Sequence, residues 1–371
     1  MPTDAPAIPR FDDNPANWKG SDLAAAPERW TFELTSEELA DLDRVIEQQG
    51  SRTDDLTNLT RSDLPLPALG ERLDQVRVQL LDGIGLALLR GFPVERYTLR
   101  EAATAYWAVA LHLGDPVSQN AGGHVLGHVR DIGFDYGRPS SRGYQTSAHL
   151  SFHADWGDVV GLLSVRTAKS GGLSSAVSST ALYHAMVDRH PDLMPALLEI
   201  VYRDRRDEIP EGRQPWYRIP VFMPQHGRVF CQYVRSTVRK AQRFPDVPRL
   251  TAQQEAAFDA LDALANSPEF RLDMQFRPGD MQFLCNHLIL HSRTEYEDWP
   301  ELERRRHLLR VWVACPGGPE MPAYYDEHQP LSAAGRPQGI RSPGVPLSAP
   351  LEAVDGGAGD SNKREKAPSG A

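Results

Sequence analysis

Cysteine is scarce in this chain of 371 residues: Cys231, Cys285 and Cys315 are an odd number with no CxxC spacing. That excludes a disulfide framework and a structural zinc site, and their apolar surroundings make all three buried small hydrophobes. Long apolar runs are missing too. Nothing approaches the roughly 20 residues a membrane span needs, and the stretch from Val159 to Leu163 is broken by Gly161 and only strand-sized. No basic block exists apart from Arg304–Arg305–Arg306, and the formal charge is −10. An acidic surface repels phosphate backbones, so nucleic acid is not an expected partner. Met1 to Arg10 shows neither a basic n-region nor an apolar h-region, so a cytoplasmic location is expected. There is no repeat with a period of 20 to 50 residues, which excludes a solenoid or propeller.

What is present reads as one large β-rich domain with helical insertions. Hydrophobic residues at 40% and charged residues at 24% are an ordinary balance for a globular chain. Residues 1–28 are rich in Pro, Asp, Asn and Ala, and residues 328–371 run through Pro, Gly and Ser into KREKAPSGA. Both are expected to be poorly ordered, leaving 29–327 as the domain. Within it, Thr35 with Glu38 forms a capping box that starts a helix through Leu39, Leu42, Val45 and Ile46. Pro67 suits the first turn of a second helix over 68–81, Leu99 to Leu113 is a third, and Thr251 to Ala265 a fourth. Thr180 to Glu199 is helical with a break near Pro191. Strands are expected near 83–89, 124–129, 159–165, 221–223, 229–233, 270–275, 280–284, 288–291 and 308–314. Many short strands with intervening helices point to an α+β chain, mainly β in its core, built as a sandwich or barrel with helical support.

The chemistry concentrates in Ser151–Phe152–His153–Ala154–Asp155–Trp156. In extended backbone, residues i and i+2 point to one side, so His153 and Asp155 offer an imidazole and a carboxylate to one point. A third ligand is available about 130 residues later from His287 or His291. Two histidines and a carboxylate on one face suit non-haem iron, with positions left open for a chelating co-substrate and dioxygen.

Some fifteen residues beyond His291 come Arg306 and Arg310 in an apolar strand. With Leu308 they share one face. A guanidinium pointing into a barrel is costly unless an anion meets it, and its planar fork suits a carboxylate. Arg304 and Arg305 read as a solvated turn. Gln119, Asn120 and Tyr144 are candidate substrate-pocket residues. His124, His128 and His149 read as structural, and Gly161 as a point of close packing.

The segments FHADWGD, GGLSS, RPGDMQFLCNHLILHSR and ERRRHLLRVW together resemble the taurine dioxygenase, 2,4-D dioxygenase and clavaminate synthase superfamily over most of residues 80–316. The resemblance implies a double-stranded β-helix, or jelly roll, with inserted and flanking helices. It implies Fe(II) held by His153, Asp155 and His291, with 2-oxoglutarate and O2 as co-substrates. Arg306 would meet the distal carboxylate of 2-oxoglutarate with support from Ser174, which stands where the family more often has threonine. Arg310 would lie near the same anion or reach toward substrate. The implied reaction is hydroxylation, desaturation or cyclisation of an unactivated C–H bond in a small molecule, amino-acid-like or a natural-product intermediate, with release of succinate and CO2. Because Asp155 is present where related halogenases leave room for chloride, hydroxylation-type chemistry is expected. The competing readings are a cupin-like metal-dependent hydrolase and a catalytically silent jelly-roll ligand-binding protein. No membrane partner is expected, and the pattern does not separate a subunit interface from the core.

Overall fold

The computed structural model describes residues 8–51, 55–133 and 142–352. Two sheets carry the architecture. The larger runs in the order Thr31–Glu33, Leu86–Arg90, Met281–Cys285, Val159–Arg166, His307–Ala314 and Asp115–Val117, with Leu126–Val129 also paired to His307–Ala314. The smaller runs Leu272–Met274, Ser174–Ser178, Ile289–Arg293 and Leu150–His153.

The alternation of side chains explains how the sheets stack. Leu86 and Leu88 join Val160, Leu284, Leu308 and Trp312 in a cluster that also holds Ala176, Met274 and Ile289 of the smaller sheet. The intervening residues Ala87, Leu89, Phe283, Leu309 and Val311 pack instead against helices Ser36–Gln49, Pro67–Asp82 and Leu99–Leu113. A strand buried on both faces must be apolar at consecutive positions, which is why these runs show no period-two pattern. The far face of the smaller sheet, with Phe152, Val177 and Leu290, packs on helices Ser179–Arg189 and Ala252–Asn266. This is the expected α+β jelly roll with flanking helices.

Local signals behave as read. Thr35 and Glu38 close a reciprocal capping box, and Pro67 opens its helix. The long helix expected over 180–199 divides at Pro191 into Ser179–Arg189 and Met194–Leu198. A Cβ on Gly161 would meet the Tyr106 hydroxyl at 2.6 Å and the Phe283 ring at 2.7 Å, so a glycine is required where helix and sheet approach. The three cysteines are free and buried. Among the described residues no helix is long and apolar enough to cross a membrane.

The described parts of the two terminal segments, 8–28 and 328–352, are packed on the domain, against the expectation of poor order there. Residues 8–28 carry Ala16, Trp18 and Leu23 into the core, and the Trp18 indole donates to the Ile84 carbonyl at 2.8 Å. Isolated aromatic anchors bind a segment without creating periodicity. Residues 328–352 form a strap: Ile340 N donates to Ser118 O at 2.8 Å, and Val125 N donates to Ser348 O at 2.9 Å. Residues 1–7, 52–54, 134–141 and 353–371 lie outside the described residues.

The strap is fixed by a buried ion pair. Arg336 donates through Nε to Asp158 Oδ2 at 2.9 Å and makes a second contact to Oδ1. His287 Nε2 lies 2.7 Å from Asp158 Oδ1, and Cys315 N donates to Oδ2 at 2.7 Å. Burial would raise the Asp158 carboxyl, but His287 and Arg336 hold it below the usual range. Arg336→Met leaves this buried carboxylate without its guanidinium partner, so a loss of roughly 3–5 kcal/mol is expected. A thermal midpoint unchanged in Arg336→Met would refute that assignment.

Candidate active site

Every strand residue expected at the site occupies the face that looks between the sheets. In the smaller sheet, His153 and His291 are direct cross-strand partners, with ring centroids 4.3 Å apart. Ala176 is the partner of His291 on the other side, and its small side chain leaves the imidazole room. Asp155 follows just past the end of Leu150–His153. Its backbone N–H donates to Asn286 Oδ1 at 3.0 Å, while Asn286 Nδ2 donates to Gly157 O at 3.2 Å. Asn286 therefore pins the turn that presents the carboxylate. One ligand atom from each of His153, Asp155 and His291 lies within 4.8 Å of the others.

The protonation states suit a cation. His153 Nδ1 lies 2.9 Å from Ser151 O, which places the proton on that nitrogen and leaves Nε2 as the donor pair. Burial, then His153, pushes His291 down to about 3, and burial also lowers His153. Both imidazoles are neutral at pH 7. Burial alone would raise Asp155, but Arg310 and the two histidines hold it below the usual carboxylate range. Its Oδ2 accepts from Trp312 Nε1 at 2.9 Å and from Arg310 at 3.4 Å. Two neutral imidazoles and an oriented carboxylate, with the buried His291 Nδ1 unpartnered, fit a divalent iron held on one face.

The triad opens into a cavity of about 450 Å³ that Tyr144, Ser174, Arg306 and Arg310 also line. Arg306 is buried, its guanidinium 5.0 Å from the Tyr296 ring centre, and its NH1 has no hydrogen-bond partner. Burial pushes this guanidinium down from its ordinary range. Among the described residues no carboxylate lies within ion-pair distance of it. A buried cation that lacks an anion and faces a cavity is an anion receptor. Gly172, at φ +70, lets the chain pass Arg306 closely: a Cβ there would stand 3.2 Å from Nε.

The chain matches the model of the family described as "Taurine catabolism dioxygenase TauD, TfdA family" over residues 52–312. It belongs to that family. It is an enzyme, a non-haem iron, 2-oxoglutarate-dependent oxygenase. FR-33289 synthase of Streptomyces rubellomurinus (strain ATCC 31215) is 31% identical over 332 residues, 86% of this chain and 95% of the relative. Uridine-5'-phosphate dioxygenase of Amycolatopsis sp is 28% identical over 228 residues, 58% of this chain and 80% of the relative. Among solved structures, an asparagine oxygenase in complex with Fe(II), 2S,3S-3-hydroxyasparagine and succinate aligns with a TM-score of 0.59 at 17% identity, covering 77% of this chain and 94% of the other. The non-haem iron oxygenase OrfP in complex with Fe and alpha-ketoglutaric acid aligns with a TM-score of 0.57 at 15% identity, covering 76% and 94%. These likenesses establish the jelly-roll fold.

Within this oxygenase the other expected pocket residues divide. Tyr144 lines the cavity with its ring 4.3 Å from the Arg310 guanidinium. Gln119 does not line it, which corrects the expectation. Its Oε1 accepts from Arg310 Nε at 2.7 Å, and its Nε2 donates to Val125 O and Arg310 O. Gln119 thus stands behind Arg310 and fixes its direction. Asn120 is also corrected: its Oδ1 caps the turn at Gly122 N and its Nδ2 meets His124, so its polar atoms are spent on its own loop. His287 is turned toward Asp158 and Tyr325, away from the triad. Asn286 and Trp312 orient Asp155 and carried no sequence signal of their own, because each acts through a partner about 130 to 157 positions distant.

Proposed function

We propose that His153, Asp155 and His291 hold Fe(II), that Arg306 with Ser174 receives the distal carboxylate of 2-oxoglutarate, and that the enzyme hydroxylates, desaturates or cyclises an unactivated C–H bond of a small polar substrate. The observation that carries this reading is the cross-strand pairing of His153 with His291 beside Asp155, in one cavity with the unpartnered Arg306 NH1. A metal-dependent hydrolase needs the triad but has no use for that guanidinium. Bound iron would supply activation of dioxygen coupled to decarboxylation of 2-oxoglutarate to succinate and CO2. The protein's own part is positioning. Asn286 and Trp312 fix the carboxylate, Ser151 fixes the His153 tautomer, and Gln119 and Asp155 fix Arg310 with Tyr144 across its face. Arg310 then presents its NH2, which lacks a protein partner, to a polar group of the substrate.

A cavity of about 450 Å³ admits a metabolite-sized molecule. The relatives support the class: solved neighbours hold hydroxylated asparagine or arginine, and one relative is named for a natural-product synthase step. We place the enzyme in the cytoplasm, where three unpaired cysteines remain reduced.

The test is succinate release by purified protein. Formation that requires Fe(II), 2-oxoglutarate and O2 together is the expected result. Metal-dependent hydrolysis without consumption of 2-oxoglutarate would replace this reading by the hydrolase one.

A further inference from the structure

The match to the family ends at residue 312, yet the chain goes on to pack a C-terminal segment, residues 316–352, back against the domain. This segment carries helix Tyr325–His328 and then the strap with Arg336. Tyr325, His328 and Arg336 are all buried, and the oxygenase reading uses none of them. They converge on one short turn, Asp155–Trp156–Gly157–Asp158, which leads from the ligand strand Leu150–His153 into Val159–Arg166.

The turn is held from two sides. On the sheet side, Asn286 Oδ1 accepts from Asp155 N at 3.0 Å, and Asn286 donates to Gly157 O at 3.2 Å and to Asp158 O at 2.9 Å. On the other side, Asp158 Oδ2 accepts from Arg336 Nε at 2.9 Å. Asp158 Oδ1 lies 2.7 Å from His287 Nε2, and His287 Nδ1 lies 3.1 Å from the Tyr325 hydroxyl. The carboxylate thus fixes the ring proton on Nε2 and leaves Nδ1 to accept from Tyr325. Between the two ends, the Trp156 ring centre is 3.9 Å from that of His328 and 5.5 Å from that of Tyr325. Arg205 secures the helix by donating to the Glu327 and His328 carbonyls. The segment also reaches the ligands themselves: His328 and Ile340 line a crevice of about 60 Å³ together with His153, Asp155 and Trp312.

His153 and His291 are fixed by the ladder of their strands, whereas Asp155 lies past the end of its strand. Its direction therefore depends on the turn, and the turn depends on what holds Asp158. We infer that, given the iron-site reading above, Arg336 and Tyr325 are positioning residues for Asp155, so that docking of the C-terminal segment and binding of the metal are thermodynamically linked. Partners that orient a ligand typically contribute about 10- to 100-fold in metal affinity. Arg336 acts one step further out, through Asp158, and belongs at the lower end of that range. Linkage is reciprocal: what the docked segment adds to metal affinity, the metal returns as tighter docking.

The experiment has two arms, both on the full chain. Equilibrium dialysis with Mn(II) compares wild type, Arg336→Met and Leu80→Ala. Leu80 is buried between the helices and the outer face of the larger sheet, so its truncation lowers stability without touching the turn. Arg336→Met is expected to bind Mn(II) about tenfold more weakly, ~1.4 kcal/mol, and Leu80→Ala to bind it like wild type, although both melt lower. The second arm is hydrogen exchange of wild type with and without saturating Mn(II), which decides the matter even if Arg336→Met does not fold. The amides of Cys315 and Ile340, which donate to Asp158 Oδ2 and Ser118 O, should slow by about the same tenfold. Those of residues 8–28 should not respond. Wild-type Mn(II) affinity in Arg336→Met, an equal loss in Leu80→Ala, or Cys315 and Ile340 amides indifferent to metal overturns the proposal. Wild-type protein that binds no Mn(II) at all would overturn the iron-site reading, and this inference with it.

Discussion

Asp155→Ala is expected to abolish Fe(II)-dependent succinate formation, with a fall of about a thousandfold or more, equivalent to ~4 kcal/mol of lost stabilisation. The carboxylate is the only anionic member of the triad, so its loss removes the charge that balances a divalent ion. It also strips Trp312 Nε1 of its acceptor and Arg310 of its carboxylate. Asp155→Asn separates these effects. The amide oxygen can still accept from Trp312, so packing is retained while the charge is lost. Metal affinity, read by equilibrium dialysis with Mn(II), should therefore fall in both variants, and the thermal midpoint of the metal-free protein should fall more in Asp155→Ala. Trp312→Phe provides the scale: it removes only an orienting hydrogen bond, and such partners typically contribute about 10- to 100-fold. If Asp155→Ala kept wild-type succinate release, the triad would not be the metal site.

The order of magnitude separating those variants reflects what a sequence can and cannot display. The His-x-Asp pair was legible because period-two geometry is local. The third ligand was not settled by geometry alone. His287 and His291 are four positions apart and have the same parity, so an unbroken strand would present both to one face. The chain instead turns between Cys285 and Ile289, sending His287 to Asp158; the family resemblance, not the spacing, favoured His291. Gln119 was singled out as a pocket residue, yet its fate is decided by Arg310, 191 positions away. The order of the described terminal stretches, 8–28 and 328–352, is illegible for a related reason: Trp18 and Arg336 each anchor a non-periodic stretch through one buried group.

Arg306→Met is expected to raise the KM for 2-oxoglutarate by roughly 100-fold, ~2.7 kcal/mol, with a much smaller effect on kcat once the co-substrate is saturating. The reason is that the guanidinium holds the end of 2-oxoglutarate remote from the reacting bonds, so its contribution is nearly equal in ground and transition states. Stability should respond in the opposite sense to the usual loss of a buried charge. Arg336 has its carboxylate within the protein, so Arg336→Met breaks a pair. Arg306 is buried with NH1 unpartnered and bears an unrelieved desolvation cost until 2-oxoglutarate arrives. Methionine fills similar volume without that cost, so the co-substrate-free Arg306→Met protein should melt at the wild-type temperature or above it. Wild type alone should then gain stability on adding 2-oxoglutarate with Mn(II), because ligand that binds only the folded state shifts the melting point. A thermal midpoint depressed in the variant, together with an unchanged KM, would mean that Arg306 serves the fold and that the anion is received elsewhere in the cavity.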